Sequence, residues 1–167
     1  GRGAVGDGQG TMIRLGAPLA ALALILDQLT KWLARGNLWD PPIRVEVLGF
    51  LDLVPVENRG ISFGLLQSEG GLGVWLISAF ALIVAAGLGF WLYRTRRKWP
   101  ALALGLIIGG ALGNVIDRLR LGWVIDFIDF HVNTWHWPAF NIADAAITVG
   151  VGMLLIDGLF GTAKKPK

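Results

Sequence analysis

The sequence predicts an all-α membrane protein with four transmembrane helices, both termini in the cytoplasm, and a small extracytoplasmic β-sheet beside an interfacial loop or short helix. Two observations lead to this fold class. Of the 167 residues, 54% are hydrophobic and only 16% are charged, which is fewer charges than soluble domains carry. The apolar residues also form long blocks, each close to the roughly 20 residues that cross a bilayer.

Four blocks reach this length, and the predicted spans are 13–33, 71–93, 99–119 and 139–160. The second block has no charged residue between Glu69 and Arg94, which makes it the clearest span. The first block resembles a signal peptide. No small-residue cleavage site follows it, so we expect a retained helix.

The four spans belong to one predicted membrane domain, 12–163. The glycine-rich stretch 1–11 has no apolar period and precedes Met12, and we expect it to be a remnant of an expression vector. Residues 164–167 form a predicted basic cytoplasmic tail.

The basic residues predict the orientation of the spans. Basic residues crowd the loop between the second and third spans and flank both ends of the chain, and four spans place all of these on one side: Arg14, Arg94, Arg96, Arg97, Lys98, Lys164, Lys165 and Lys167. Because cytoplasmic loops carry an excess of Lys and Arg, this side is predicted to be cytoplasmic. Segments 34–70 and 120–138 are then outside. Most acidic residues lie on or near that outer side.

The two outer segments differ in pattern. Residues 43–47 alternate apolar and polar side chains, which predicts a strand, and 49–54 are consistent with a second strand. Residues 57–60 read as a turn. We expect a small sheet over the outer mouth of the helices. The aromatic-rich segment 120–138 is predicted to be an interfacial loop or short helix.

Composition argues against several kinds of site. The chain has no cysteine, so disulfides, thiolate metal sites and cysteine nucleophiles are excluded. His131 and His136 lack a metal-ligand spacing such as His-Glu-x-x-His, and no glycine-rich phosphate loop is present. We therefore expect no metal and no cofactor. The net charge of +3 follows from membrane topology, so we expect no nucleic acid partner.

Two aspartates, Asp126 and Asp144, lie at the outer mouths of predicted spans. A carboxylate there is costly unless it is paired, hydrated or protonated, so it indicates a functional site. A short loop separates Asp126 from the third span, which allows it to fold back towards Asp144. Two carboxylates beside one water do not both ionise easily. One keeps a proton while the other activates the water, as in aspartic proteases.

The residue pattern alone leaves other functions open. Intramembrane carboxylates also serve transport, so a small proton- or solute-coupled carrier using Asp27, Asp117 and Asp144 is the alternative. Carriers commonly have internal repeats, and the two halves of this chain show no convincing repeat. A third possibility is an assembly factor that binds a lipidated helix and in which the acids are structural.

Several residues near Asp126 and Asp144, together called the dyad, are predicted to support it. Gly110, Asn114 and Asp117 share one face of the third span. The row Gly105, Gly109 and Gly113 is typical of close helix packing. Two ion pairs are predicted as scaffold rather than chemistry: Asp27–Lys31 and Asp117–Arg118. In the fourth span Asn141, Asp144, Ala145 and Thr148 are expected to share a face, and small alanines leave room around Asp144.

Five ordered blocks carry a family resemblance: Asp27-Gln-Leu-Thr-Lys31, Val56-Glu-Asn-Arg-Gly-Ile-Ser-Phe63, Gly109-Gly-Ala-Leu-Gly-Asn-Val-Ile-Asp-Arg118, Val124-Ile-Asp-Phe127 and Phe140-Asn-Ile-Ala-Asp-Ala145. On these blocks, which extend over nearly the whole chain after Met12, the sequence resembles the lipoprotein signal peptidase (signal peptidase II) family. The resemblance implies an aspartic endopeptidase of the bacterial cytoplasmic membrane. Such enzymes remove signal peptides from diacylglyceryl-modified prolipoproteins by cleaving before the lipidated Cys.

The resemblance also implies roles for particular residues. The implied catalytic pair is Asp126 and Asp144, and the choice of Asp126 over Asp129 depends on the resemblance. The residues implied or predicted to bind substrate or support the site are Asp27, Lys31, Asn58, Gly60, Gly110, Asn114, Asp117, Arg118, Asn141, Ala143 and Ala145. The implied partners are prolipoproteins, membrane lipid and globomycin-type inhibitors, and we expect a monomer. The implied site lies at the extracytoplasmic face of the multi-pass protein, and substrate would enter laterally between spans.

Overall fold

The structure, a computed structural model, describes residues 7–60 and 72–160. The chain forms four helices and four strands: α1 (Asp7–Leu38), β1 (Val45–Leu48), β2 (Leu51–Asn58), α2 (Leu72–Arg94), α3 (Lys98–Leu121), β3 (Val124–Val132), β4 (Trp135–His136) and α4 (Ile142–Phe160). The predicted tail 164–167, residues 61–63 of the second block, position 71 of the second span and 1–6 of the expected vector remnant lie outside the described residues.

The four predicted spans are confirmed as helices. All four are long and apolar enough to cross a membrane: Met12–Leu38, Leu72–Arg94, Lys98–Leu121 and Ile142–Phe160. The first helix is longer than predicted and ends at Leu38, and the fourth begins at Ile142 rather than at 139. Asn141 caps the fourth helix and so fixes its start. The third helix ends at Leu121, and the capping residue Gly122 adopts the left-handed conformation (φ 81°) that favours glycine.

Helix α3 lies at the centre of the bundle, and α1, α2 and α4 pack around it. Small residues allow the close approach. A Cβ on Gly105 would collide with the Gly16 backbone of α1, and a Cβ on Gly109 would collide with the Ala20 carbonyl. The glycine row therefore serves packing, as the sequence indicated.

The outer strands form one four-stranded sheet in the order β1-β2-β3-β4, in which neighbouring strands are antiparallel. Strands β1 and β2 confirm the two strands expected in the first outer segment. Strand β2 continues through Asn58, into the stretch 57–60 that reads as a turn. Val56 of β2 pairs with Asp126 of β3.

The structure differs from the sequence prediction over 120–138, where most residues form β3 and β4 rather than an interfacial loop or short helix. The first four residues of β3 are buried on both faces, so the strand lacks the alternation of apolar and polar residues that identifies a half-exposed strand. Ala34 and Leu38 of α1 pack against Ile125 and Phe127 of β3. This contact holds the sheet against the outer end of the bundle.

Candidate active site

Asp126 lies in the buried part of β3, and only 1% of its surface is exposed. Each carboxylate oxygen accepts one hydrogen bond from an asparagine amide. Asn141 donates through Nδ2 to Oδ1 at 2.7 Å, and Asn58 donates through Nδ2 to Oδ2 at 2.8 Å. The site therefore supplies Asp126 with two neutral donors.

Asp144 lies in the first turn of α4, where it forms a reciprocal cap with Asn141. The Asp144 N–H donates to Asn141 Oδ1 at 2.9 Å, and the Asn141 N–H donates to Asp144 Oδ2 at 3.3 Å. This is a capping-box arrangement at a helix N-terminus, where the helix dipole favours a negative charge. Asn114 donates through Nδ2 to the other oxygen, Oδ1, at 2.8 Å. Asn141 thus contacts both aspartates.

Donors fix the amide orientation of all three asparagines. The oxygen of Asn58 accepts the Gly60 N–H at 2.9 Å, and Gly60 adopts a positive φ of 97°. The oxygen of Asn141 accepts the Asp144 N–H, and the oxygen of Asn114 accepts Lys31 Nζ at 3.0 Å. Backbone N–H and ammonium groups donate and cannot accept. Each amide nitrogen is therefore turned towards an aspartate.

Lys31 belongs to a buried ionic cluster beneath the dyad. Its Nζ lies 2.8 Å from both Asp27 Oδ2 and Asp117 Oδ2. The predicted Asp27–Lys31 pair is confirmed, and it is buried, with 0% and 1% side-chain exposure, rather than at the surface. Asp27 also accepts the Ala143 N–H at 2.9 Å, so the cluster helps to cap α4.

The predicted ion pair between Asp117 and Arg118 is wrong. Asp117 pairs with Lys31, while Arg118 donates to the Asn114 carbonyl at 3.5 Å. Adjacent residues of a helix do not face each other, which explains why Asp117 and Arg118 point in different directions. Gln28, which the sequence analysis did not single out, donates to Asp117 Oδ1 at 3.0 Å. Its only sequence signal is its place between Asp27 and Lys31 in the first block.

Asp126 and Asp129 have different partners, although they are three residues apart. Asp129 pairs with Arg44 at 2.8 Å and with His136 Nδ1 at 2.9 Å. Asp52 joins the same cluster through Arg44. Burial alone would raise the pKa of Asp52, but the hydrogen bond and charge of Arg44 outweigh it and lower that pKa. Asp129 therefore belongs to an ionic cluster of the sheet, and Asp126 belongs to the asparagine network.

The remaining predicted residues pack around α4. A Cβ on Gly110 would collide with the Ala143 carbonyl, and the Ala143 side chain is fully buried near Gly113. Ala145 lines an apolar groove of about 240 Å³ between α1 and α4. Gly110 and Ala143 thus set the distance between helices near the dyad. The Ala145 side chain faces the groove, and its backbone N–H donates to the Asn141 carbonyl at 3.2 Å.

Burial raises the pKa of Asp126 to about 6, and the charge of Asp144 raises it further, although the amides of Asn58 and Asn141 act in the opposite direction. A carboxyl group with such a pKa can hold or release a proton near neutral pH. Among residues 7–60 and 72–160, no group of three or more His, Asp or Glu side chains is arranged to hold a metal ion. The chemistry offered by these residues is acid–base chemistry.

A family model described as Signal peptidase (SPase) II matches residues 19–160. The chain belongs to the signal peptidase II family. The residue pattern left a protease, a small carrier and an assembly factor open. Membership in the signal peptidase II family favours the protease. An aspartic mechanism is consistent with this family, and the placement of Asp126 and Asp144 around Asn141 is consistent with that mechanism.

Named relatives agree with signal peptidase II, and a solved membrane enzyme shares the fold. A protein named lipoprotein signal peptidase from Methylobacterium radiotolerans is 45% identical over 160 residues, which cover 94% of this chain and 92% of the relative. One from Rhodopseudomonas palustris is 47% identical over 156 residues, covering 90% and 95%. A bacterial membrane enzyme solved by the in meso method at 2.3 Å is 30% identical, with a TM-score of 0.76 and coverage of 95% and 93%.

Proposed function

We propose that Asp126 and Asp144 are the catalytic pair of this signal peptidase II and that they activate a water molecule held between them. The observation that carries this proposal is the position of Asn141, which contacts both carboxylates through 2.7 and 3.3 Å hydrogen bonds. This shared partner keeps the two groups on one site, although they come from a strand and a helix. No metal or cofactor takes part in the proposed reaction.

In the proposed reaction, the ionised carboxylate takes a proton from the water, and the water oxygen attacks the scissile carbonyl carbon. The protonated carboxyl group donates its proton to the carbonyl oxygen. The tetrahedral intermediate then breaks its C–N bond: the nitrogen receives the proton that the first carboxylate took from the water, and one hydroxyl of the intermediate returns a proton to the second carboxylate. The products are the carboxylate of the signal peptide and the free amine of the next residue.

The proposed substrates are prolipoproteins whose lipobox Cys carries a diacylglyceryl group, with cleavage just before that Cys. Two features support a membrane-embedded substrate. All four helices are apolar enough to cross a bilayer. Helices α2 and α4 both pack against α3 and, within the described residues, are not closely packed against each other. A signal helix can enter laterally along this side of α3, while its lipid stays in contact with apolar helix faces.

The proposed location is the inner membrane of a bacterium, with both termini in the cytoplasm and the site at the extracytoplasmic face. The Lys and Arg distribution supports this orientation. The dyad lies at the end of the bundle that the sheet covers, where a scissile bond meets water. Globomycin-type peptides are expected inhibitors, and the protein is expected to work as a monomer.

The test uses purified protein in detergent with a diacylated prolipoprotein. We expect Asp126→Asn and Asp144→Asn each to lower cleavage by about 1,000-fold or more, because each removes one member of an acid–base pair. Thermal melting and substrate binding should stay close to those of the unaltered protein. Near-normal cleavage by either variant contradicts the dyad.

Asp129→Asn is the matched control, because it removes an acid three residues away that pairs with Arg44 and His136 instead. We expect it to keep substantial activity. If Asp129→Asn is inactive while Asp126→Asn is active, Asp129 is the catalytic residue and the proposal is wrong.

A further inference from the structure

The proposed mechanism needs one carboxylate to be ionised and the other protonated, and the surroundings of the two aspartates differ in a way that assigns these states. Asp144 lies at the N-terminus of a helix, whereas Asp126 lies in a strand. Within residues 7–60 and 72–160, the hydrogen bonds that Asp126 accepts come from the neutral side-chain amides of Asn58 and Asn141. Asp144 accepts a hydrogen bond from the side-chain amide of Asn114, and the oxygen of that same amide accepts a hydrogen bond from the Lys31 ammonium group.

Lys31 is the cation at the end of this chain of hydrogen bonds. Its Nζ donates to Asn114 Oδ1 at 3.0 Å, and Asn114 Nδ2 donates to Asp144 Oδ1 at 2.8 Å. Asn141 Nδ2 donates to the same Asn114 oxygen at 3.2 Å, so this oxygen has two donors, of which Lys31 is the nearer and the charged one. An ammonium group cannot accept a hydrogen bond, so the amide cannot turn over while Lys31 is present. A reversed amide would also direct its oxygen at the Asp144 carboxylate, which is tolerable only if Asp144 carries a proton.

We propose that Lys31 is a positioning residue: by holding the Asn114 oxygen, it turns the Asn114 N–H towards Asp144 and makes Asp144 the ionised base of the dyad. Asp126 is then the member that carries the proton. This inference depends on the proposed function, because it assigns the two roles within the proposed dyad. Hydrogen bonds in a chain polarise one another, so the ammonium charge also strengthens the bond from Asn114 to Asp144.

Other charged groups also face Asp144, and their influence on its ionisation has to be distinguished from that of Lys31. Asp126 faces it from β3 and Arg118 from α3, while Asp27 and Asp117 surround Lys31. Helix α2 contributes none, since its one charged residue, Arg94, is in its last turn, at the end of the bundle away from the sheet. The competing explanation is that Lys31 only neutralises the two buried acids beside it.

The first test compares Lys31→Met combined with Asp117→Asn against the unaltered protein, whose cluster has the same net charge, and against Asp117→Asn alone. The double variant keeps the net charge that the cluster has in the unaltered protein, and both variants lose the Lys31–Asp117 pair. Only the double variant removes the cation from Asn114 Oδ1, which then keeps the 3.2 Å hydrogen bond from Asn141 Nδ2. In a plot of kcat/KM against pH, the acid limb marks the ionisation of the general base. Loss of the ammonium weakens the hydrogen bond from Asn114 to Asp144 and so disfavours the ionised base, and we expect this limb to move up by about one pH unit in the double variant.

In Asp117→Asn alone, the acid limb should stay within a few tenths of a pH unit of its usual position, because Lys31 still holds Asn114. Equal limbs in the two variants overturn the role of Lys31. If Asp144→Asn still cleaves, the proposed dyad itself is wrong. If Asp144→Asn is inactive and the limbs are equal, only the Lys31 assignment fails.

A second variant decides the question if the double variant does not fold. Asn114→Asp keeps an oxygen acceptor for Lys31 but presents an oxygen instead of an N–H to Asp144. We expect a folded protein with thermal melting near normal and an acid limb at least one pH unit higher. A folded Asn114→Asp protein with an unshifted limb contradicts the proposal.

Discussion

At the scale of single residues, the candidate site is defined by amide orientation. Asn58, Asn114 and Asn141 each have an oxygen held by a donor, and each points its nitrogen at a carboxylate. Asparagine does not change its charge with pH. The donors around the dyad therefore stay constant while the two aspartates exchange protons.

Asn58→Ala should move the alkaline limb of kcat/KM to higher pH. The Asn58 amide lowers the pKa of Asp126, so its removal raises that pKa above its value of about 6. A higher pKa lets Asp126 keep its proton at higher pH, and activity should extend in that direction. Arg59→Ala is the control, because Arg59 is exposed and pairs with Glu57. An unchanged or lower limb in Asn58→Ala contradicts the role of Asp126 as proton carrier.

Much of the site was predictable from sequence at this scale, but its ion pairs were not. The Asn141-x-x-Asp144 spacing indicates a capping box, and the Asp27–Lys31 spacing indicates a pair on one helix. The Lys31 contacts with Asn114 and Asp117 link α1 to α3 across more than 80 residues of sequence. Such contacts depend on how two helices are rotated against each other, which periodicity in one helix does not specify.

At the scale of elements, the spans were predictable and one part of the sheet was not. Uninterrupted apolar length identifies the helices, and alternation identifies β1. Strand β3 is covered on both faces near Asp126, so apolar and acidic residues occur without a period of two. Alternation therefore did not separate Asp126 from Asp129, which have different partners in the structure.

Gly109→Ala should destabilise the protein by about 1–3 kcal/mol, because the added methyl group overpacks the α1–α3 contact. Its Cβ would collide with the Ala20 carbonyl and lie 2.9 Å from Ala23 Cβ. Gly87→Ala is the matched control in α2, where a Cβ meets nothing within 4 Å, and it should leave stability unchanged or increase it. Thermal melting in detergent measures both. Equal melting temperatures would show that the glycine row does not determine packing.

At the scale of the whole molecule, the dyad, the sheet and most acidic residues lie towards one end of the bundle, and the basic loop 94–98 lies at the other. Arg97 and Asp157 join α3 to α4 at that second end through two hydrogen bonds of 2.7 and 2.6 Å. The two ends of the bundle therefore differ in charge, with acidic residues at one end and a basic loop at the other. The predicted topology assigns the basic end to the cytoplasm.

The absence of cysteine allows a direct test of topology. Phe50→Cys introduces an exposed thiol at the β1–β2 turn, and Arg96→Cys introduces one in the basic loop. In intact cells whose outer membrane is permeabilised, a maleimide that cannot cross the inner membrane should label Phe50→Cys and not Arg96→Cys. After detergent lysis both should react. The reverse pattern contradicts the proposed orientation.

The link between β3 and α4 has a consequence for inhibitor design. Asn141 Nδ2 holds Asp126 at 2.7 Å while the same residue caps the helix that carries Asp144. A compound that wedges the strand away from the helix would separate the two carboxylates without contacting either one. Such a compound need not mimic a peptide bond or compete with water for the aspartates. It would act on the contact between β3 and α4.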